Sequence, residues 1–286
     1  FQTEPSPANA ESLKMSFKQL VGTVSALIII VFGVYFVLES PRKARDKSGN
    51  PSEKSIMLYC GAGIRPAAEP IIAEFEKEHG ISIEPTYAGS GQLLGQISSH
   101  QRGDLYMPGA ELYVDRAIEK GLAVEGSKRD VAYFVPVILV QEGNPKDIHS
   151  LEDLKKEGLR LGIGDERACA VGKKTLKILE KNNIALSELQ HNIQYESSTV
   201  NELGVAIQLG QVDAVIMWDA NARNFEKHGE IIPIKRENNI ISTIPIALLT
   251  SSEHPEAARD FIEFISSEAG PEILSDHQYT VELDEK

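Results

Sequence analysis

Four short stretches of small residues carry whatever chemistry this chain has. They are Gly61-Ala62-Gly63, Gly89-Ser90-Gly91, Pro108-Gly109 and Ala168 to Gly172. Each follows a short apolar run and precedes a helical pattern. A strand that ends in small residues and opens a helix leaves backbone N–H groups unpaired at the turn, and the helix end adds a partial positive charge. That combination attracts an anion. One such loop can be a plain tight turn; four in register along one chain point to a shared site.

The surrounding residues do not supply a reactive alternative. The chain has no G-x-G-x-x-G, G-x-x-x-x-G-K-[ST], G-x-S-x-G or H-E-x-x-H pattern. Its histidines, from His79 to His277, are scattered in helices and loops with no visible acid–base partner, as surface residues are. The two cysteines, Cys60 and Cys169, form no C-x-x-C pair, which excludes the usual zinc spacings. They pair as a disulfide or remain as two small buried thiols; the residues leave both open. The reading is therefore a binding protein rather than an enzyme, with no cofactor and no free metal cation.

The elements that position these loops alternate strictly. Ile56–Cys60 is a strand, followed by a helix with Pro66 in its first turn, where the missing N–H costs nothing. Ile81–Tyr87 alternates like a strand and precedes a helix from Gln92. Asp104–Met107 leads into a helix over Ala110–Lys120. Val131–Val140 is a long β-rich run. Leu151–Lys156 reads as a short helix, Arg160–Gly164 as a strand with a helix from about Lys173, and Asp213–Trp218 as a buried strand. Ile240–Thr250 is β-rich again, and Pro255–Ser267 is an amphipathic helix. Alternating β and α units predict parallel sheet covered by helices, with ligands bound beyond the carboxyl ends of the strands.

Length and charge set the outer limits. At 286 residues the chain holds one large or two ordinary domains, and a net charge of −13 argues against a nucleic-acid partner. An anion site here has to be local, since the protein's own field repels anions. Residues 1–19 are polar. Leu20–Leu38 is uncharged and apolar, and as a helix it spans ~28 Å, the thickness of a bilayer core. No small-residue cleavage site follows it, which favours an uncleaved membrane anchor over a removed signal peptide. Residues 39–53 form a polar linker. Arg42, Lys43, Arg45 and Lys47 outnumber Lys14 and Lys18, so the positive-inside rule alone would keep the main domain in the cytoplasm.

Together the segments YCGAGIRPAAEPIIAEFEKEHG, PTYAGSGQLLGQI, GDLYMPGAELYVDRA, PKDIHSLEDL, LGIGDERACAVGKKTLKIL and VDAVIMWDANA resemble the periplasmic solute-binding proteins of ABC transporters, specifically the molybdate- and tungstate-binding group. The resemblance covers roughly 55–281. It implies a two-lobed α/β fold of the type II periplasmic-binding-protein class, with lobe 1 at 54–135 plus 245–286, lobe 2 at 136–244, and crossing strands at Val131–Val140 and Ile240–Thr250. It implies an extracytoplasmic, monomeric receptor that hands a small tetrahedral oxyanion to an ABC permease, against the charge count around Leu20–Leu38.

By motif match the ligand positions are Gly63, Ser90, Gly109 and Val171. Arg65, two residues beyond Gly63, could add a fork of donors. Trp218-Asp219 stands where the group often has a tyrosine, and Gly63 where many members carry a hydroxyl residue. Asp219 and Asp165 also read as caps or hydrogen-bond acceptors, because a carboxylate beside a dianion repels it. The loss of the hydroxyl, with Arg65 close by, keeps a second ligand class open: sulfate, phosphate, or a phosphorylated or carboxylated metabolite.

Overall fold

A computed structural model describes residues 55–267 and 269–283. The apolar run at 20–38, read above as an anchor, lies outside the described residues. Among the described residues no helix is long and apolar enough to cross a membrane.

Two five-stranded sheets, each covered by helices, build two lobes. The first sheet has the order β2-β1-β3-β10-β4, made of Ser55–Gly61 (β1), Ser82–Ala88 (β2), Leu105–Met107 (β3), Arg129–Phe134 (β4) and Ser242–Leu248 (β10). The second has the order β7-β6-β8-β5-β9, made of Pro136–Gln141 (β5), Leu161–Gly164 (β6), Ile193–Ser197 (β7), Ala214–Trp218 (β8) and Gly229–Pro233 (β9). Strands β1, β2 and β3 run parallel, as do β6, β7 and β8. The all-parallel expectation fails at β10 and β5. β10 is antiparallel to β3 and β4, and β5 is antiparallel to β8 and β9. These are the strands that carry the chain between sheets, so they enter from the opposite direction to the βα units.

The long β-rich run at 131–140 is two strands in different sheets, joined through Val135 alone. Asp219 brackets that joint: its backbone N–H donates to the Val135 carbonyl at 2.9 Å, and its carboxylate accepts the Val135 N–H at 3.1 Å. The return crossing ends at Ser242, where β10 pairs with Phe134 of β4.

Helices follow the apolar stripes. Arg65–His79 (α1) buries Ala67, Ala68, Ile71, Ile72 and Phe75 against the first sheet, and Gly80 ends it in the left-handed conformation (φ 65°). Ser90–His100 (α2) and Glu111–Glu119 (α3) cover the same lobe. Ala170–Lys181 (α4), Leu186–Leu189 (α5), Val200–Gln208 (α6) and Asp219–Ala222 (α7) belong to the second lobe. Pro255–Ser266 (α8) and Ala269–Asp276 (α9) return to the first, where Phe261 and Phe264 meet Phe75 edge-on. α4 begins at Ala170 rather than near Lys173, and the segment Glu152–Lys155 is a 3-10 turn.

Candidate functional site

The lobes meet over a small cavity at the carboxyl ends of β1, β2, β3, β6, β7 and β8. Its volume is about 20 Å³. A single water needs roughly 10–15 Å³ of such space, so the gap left between the lobes is small. The first lobe contributes Gly61 to Ile64, Ala88 to Ser90, Gly109 and Phe134; the second contributes Cys169, Ala170, Thr199, Val200 and Trp218. None of these lining residues carries a charged side chain.

Positive character comes from the backbone instead. The first residues of α2, α4 and α6 (Ser90, Ala170 and Val200) all line the cavity, as does the 3-10 turn Ala62–Ile64 that leads into α1. Converging helix N-termini present partial positive charge and unpaired N–H groups to a small space, the arrangement that holds an anion without a full counter-charge.

Ser90 is the best-defined polar side chain in it. It is 3% exposed and is the first residue of α2, with Gly89 at the cap position, so its hydroxyl does not cap the helix. The Ser90 Oγ accepts the Gly109 N–H at 3.0 Å, and the Ser90 carbonyl accepts the Tyr106 hydroxyl at 2.7 Å. With Oγ already accepting, its own proton is left to donate. The same bond corrects an expectation: the Gly109 N–H is spent on Ser90.

Gly63 lines the cavity with no side chain, and its carbonyl is gripped from behind. Asn221 Nδ2 donates to it at 2.9 Å and the Tyr279 hydroxyl at 2.6 Å. A Cβ on Gly63 would lie 2.8 Å from Val200 Cγ1 and 2.9 Å from Asn221 Oδ1, closer than real Cβ contacts allow. The space a hydroxyl residue would need is occupied by the second lobe.

Trp218, at the end of β8, lines the cavity and stacks on Phe134 with ring centroids 4.8 Å apart and planes within 5°. Arg65 does not join the site. Its side chain is 59% exposed, pairs with Glu69 at 2.8 Å and lies over the Tyr87 ring. Val171 is fully buried one residue past the lining pair Cys169–Ala170, and Asp219 serves the Val135 joint. Burial raises the Asp219 carboxyl above its ordinary value. Asp165 accepts the Arg167 N–H and stays clear of the lining.

Both cysteines are free and buried. Burial pushes the Cys169 thiol up to about 11, against the pull of the nearby Gly172 and Val171 N–H groups. It faces the cavity as a neutral group, and burial raises Cys60 as well. Thr199, Val200, Phe134 and Asn221 stand at the site although none belongs to the four small-residue loops. Thr199-Val200-Asn201-Glu202 has the T-x-x-E form of a helix start, the one signal that would have added a further small loop to the set.

Behind the cavity, Lys174 of α4 reaches across to Glu111 of α3 at 3.3 Å and to the Ile241 carbonyl at 3.2 Å. Glu111 also accepts from Ser242 Oγ at 3.3 Å. Burial works against both charges. At Glu111 the attraction of Lys174 wins and holds the carboxyl below its ordinary value; at Lys174 burial wins and the ammonium sits below its own.

Two α/β lobes joined by two crossings over a cavity this small define a solute-binding protein of the type II periplasmic-binding-protein fold. The chain belongs to the bacterial extracellular solute-binding protein family, whose model matches residues 56–280. It is 31% identical over 224 residues to a binding protein of Haemophilus influenzae, covering 78% of this chain and 90% of that one. It is 24% identical over 222 residues to the molybdate-binding protein ModA of Mycobacterium bovis, covering 77% and 82%. The sulfate-binding protein SubI from Mycobacterium tuberculosis has the same fold, with a TM-score of 0.69 at 17% identity, covering 79% and 86%. The resemblance to the molybdate-binding group, drawn from the loops alone, is thus borne out. Members of this family bind solutes outside the cytoplasm for ABC importers, and they are not enzymes.

Proposed function

We propose that the chain captures a small, fully ionised tetrahedral oxyanion, molybdate or tungstate first, and delivers it to an ABC permease from a membrane-anchored position outside the cytoplasm. The observation that carries this reading is the cavity of about 20 Å³ lined by helix N-termini and by no charged side chain. Neutral donors bind a dianion that brings no proton of its own. A protonated anion such as phosphate is best held where a carboxylate accepts that proton, and among the described residues no carboxylate lines the space. In this reading Ser90 and the N–H groups at the starts of α2, α4 and α6 are the donors, Gly63 gives close approach, and Trp218 closes one wall. Leu20–Leu38 is the anchor and the receptor works as a monomer.

Sulfate is the second reading. It shares the shape and charge of molybdate, and the fold is shared with a sulfate-binding protein. Phosphorylated or carboxylated metabolites are the less favoured class: the gap between the lobes is small, and Arg65, the cation that speaks for them, turns outward to Glu69. Titration calorimetry of the protein against molybdate, tungstate, sulfate and phosphate tests the reading. Heat with molybdate or tungstate at lower concentration than with sulfate supports it. Tight binding of phosphate alone would overturn it.

A further inference from the structure

Ser90 is flanked by two glycines, of which Gly89 lines the cavity, and both face the opposite lobe. The Gly91 N–H donates across the lobe boundary to the Ala168 carbonyl at 2.9 Å. A Cβ built on Gly91 would lie 1.8 Å from the Arg167 carbonyl oxygen, and one on Gly89 would lie 2.4 Å from the carbonyl oxygens of both Ala168 and Ser198. Those atoms are backbone and cannot swing aside as a side-chain tip would. Neither glycine is needed for its own conformation: Gly89 has φ −64° and ψ 144°, open to any residue, and Gly91 lies in the first turn of α2. Gly95, one turn further along the same helix, has nothing within 4 Å of its Cβ position.

We propose that Gly89 and Gly91 are positioning residues that seat the second lobe on the first, their missing side chains letting the carbonyls of Arg167, Ala168 and Ser198 come down onto the first turn of α2. This rests on the reading of the cavity as the ligand site, and it gives the small-residue loop a second purpose. Arg167 and Ala168 run directly into Cys169 and Ala170, and Ser198 into Thr199 and Val200, all cavity-lining residues. Seating those carbonyls therefore fixes where the starts of α4 and α6 stand over the cavity. One turn of α2 carries both functions: the Ser90 hydroxyl meets the ligand, and the glycines on either side meet the opposite lobe. Closing the cleft and completing the donor set become the same event.

The test compares two single-methyl additions to one helix, Gly91→Ala and Gly95→Ala, in the full chain held in mild detergent. Trp218 is the only tryptophan and is 2% exposed, so acrylamide quenching of its emission reads closure without any ligand. Gly91→Ala should raise the quenching constant at least twofold over wild type, while Gly95→Ala leaves it unchanged. With molybdate as probe, Gly91→Ala should weaken binding tenfold or more through faster release, with little change in association. Equal quenching in Gly91→Ala and Gly95→Ala overturns the proposal. Should wild type give no heat with molybdate, the oxyanion reading fails for that probe, and the ligand-free quenching comparison still decides the role of the glycines. Should Gly91→Ala lose its near-ultraviolet circular dichroism, Gly89→Ala carries the comparison, because its methyl meets the Ala168 carbonyl that accepts the Gly91 N–H.

Discussion

The Ser90 hydroxyl accepts the Gly109 N–H at 3.0 Å, which leaves the Ser90 proton as the one that a first-lobe side chain among the described residues offers to the cavity. Ser90→Ala should lower affinity for the bound oxyanion by ~1–3 kcal/mol, since it removes a donor to a charged group. By calorimetry that reads as roughly a five- to hundredfold rise in Kd. Ser90→Asp should abolish binding, because it places a carboxylate against an anion in a space with almost no water. Both variants should keep their far-ultraviolet circular dichroism, as the hydroxyl does not cap α2 and an acidic residue in a first helical turn is favourable. Wild-type affinity in Ser90→Asp would remove Ser90 from the site.

Arg65 gives the opposite expectation. Its guanidinium is engaged with Glu69 on the surface and is absent from the cavity wall. Arg65→Gln should leave affinity within about threefold, since exposed ion pairs are worth ~0–1 kcal/mol. A tenfold loss would mean that the side chain turns inward when ligand is present.

Gly63 and Val200 should show a paired effect. Gly63→Ser by itself adds a group where Val200 Cγ1 already stands, 2.8 Å from the Cβ position. The overpacking should cost ~1–3 kcal/mol in stability and weaken binding as the lobes are held apart. Adding Val200→Ala removes the nearer of the two obstructions, Asn221 Oδ1 at 2.9 Å being the other, so the double variant should bind better than Gly63→Ser. A double variant that binds worse than either single one would show that the hydroxyl has no use in this site.

The Lys174–Glu111 pair makes a prediction about stability and acid. Lys174 is 2% exposed and the Glu111 side chain 34%. Removing Glu111 strands a buried ammonium, whereas removing Lys174 leaves a carboxylate that still reaches water. Glu111→Gln should therefore cost more than Lys174→Met, on the order of 3–5 kcal/mol for an uncompensated buried charge, measured by urea unfolding. A carboxyl held below its ordinary value in the folded state gives stability that is present above the unfolded pKa and is lost as pH falls through the folded one. Wild type should lose part of its stability in acid that Glu111→Gln never had, so the two curves converge at low pH. Parallel curves would show that the pair contributes nothing.

Much of this protein is legible in its residues taken in order. The strand–loop–helix repeat, the first-turn Pro66 and the small-residue loops at Gly61–Gly63, Gly89–Gly91, Pro108-Gly109 and Ala168–Gly172 are local features, and each depends only on neighbours within a few residues. They are enough to predict alternating α/β units and the family, and they pick out Gly63, Ser90 and Gly109, which line the cavity, although the Gly109 N–H is taken by Ser90. What the local pattern could not supply is anything that depends on the two lobes meeting. Val131–Val140 reads as one β-rich run, and only pairing with β10 on one side and β8 on the other divides it at Val135. Arg65 looks available beside Gly63, yet Glu69 one turn along the helix takes it. Thr199, Val200 and Asn221 reach the first lobe only because β7 and β8 end opposite β1, and no spacing in sequence records a distance set by closure of a cleft. Gly91 reads as part of an anion loop, whereas its N–H is turned to a carbonyl of the opposite lobe. Backbone hydrogen bonds and apolar periodicity are short-range and survive in the sequence; which donor is left free for a ligand is decided by long-range contacts that only the folded chain makes.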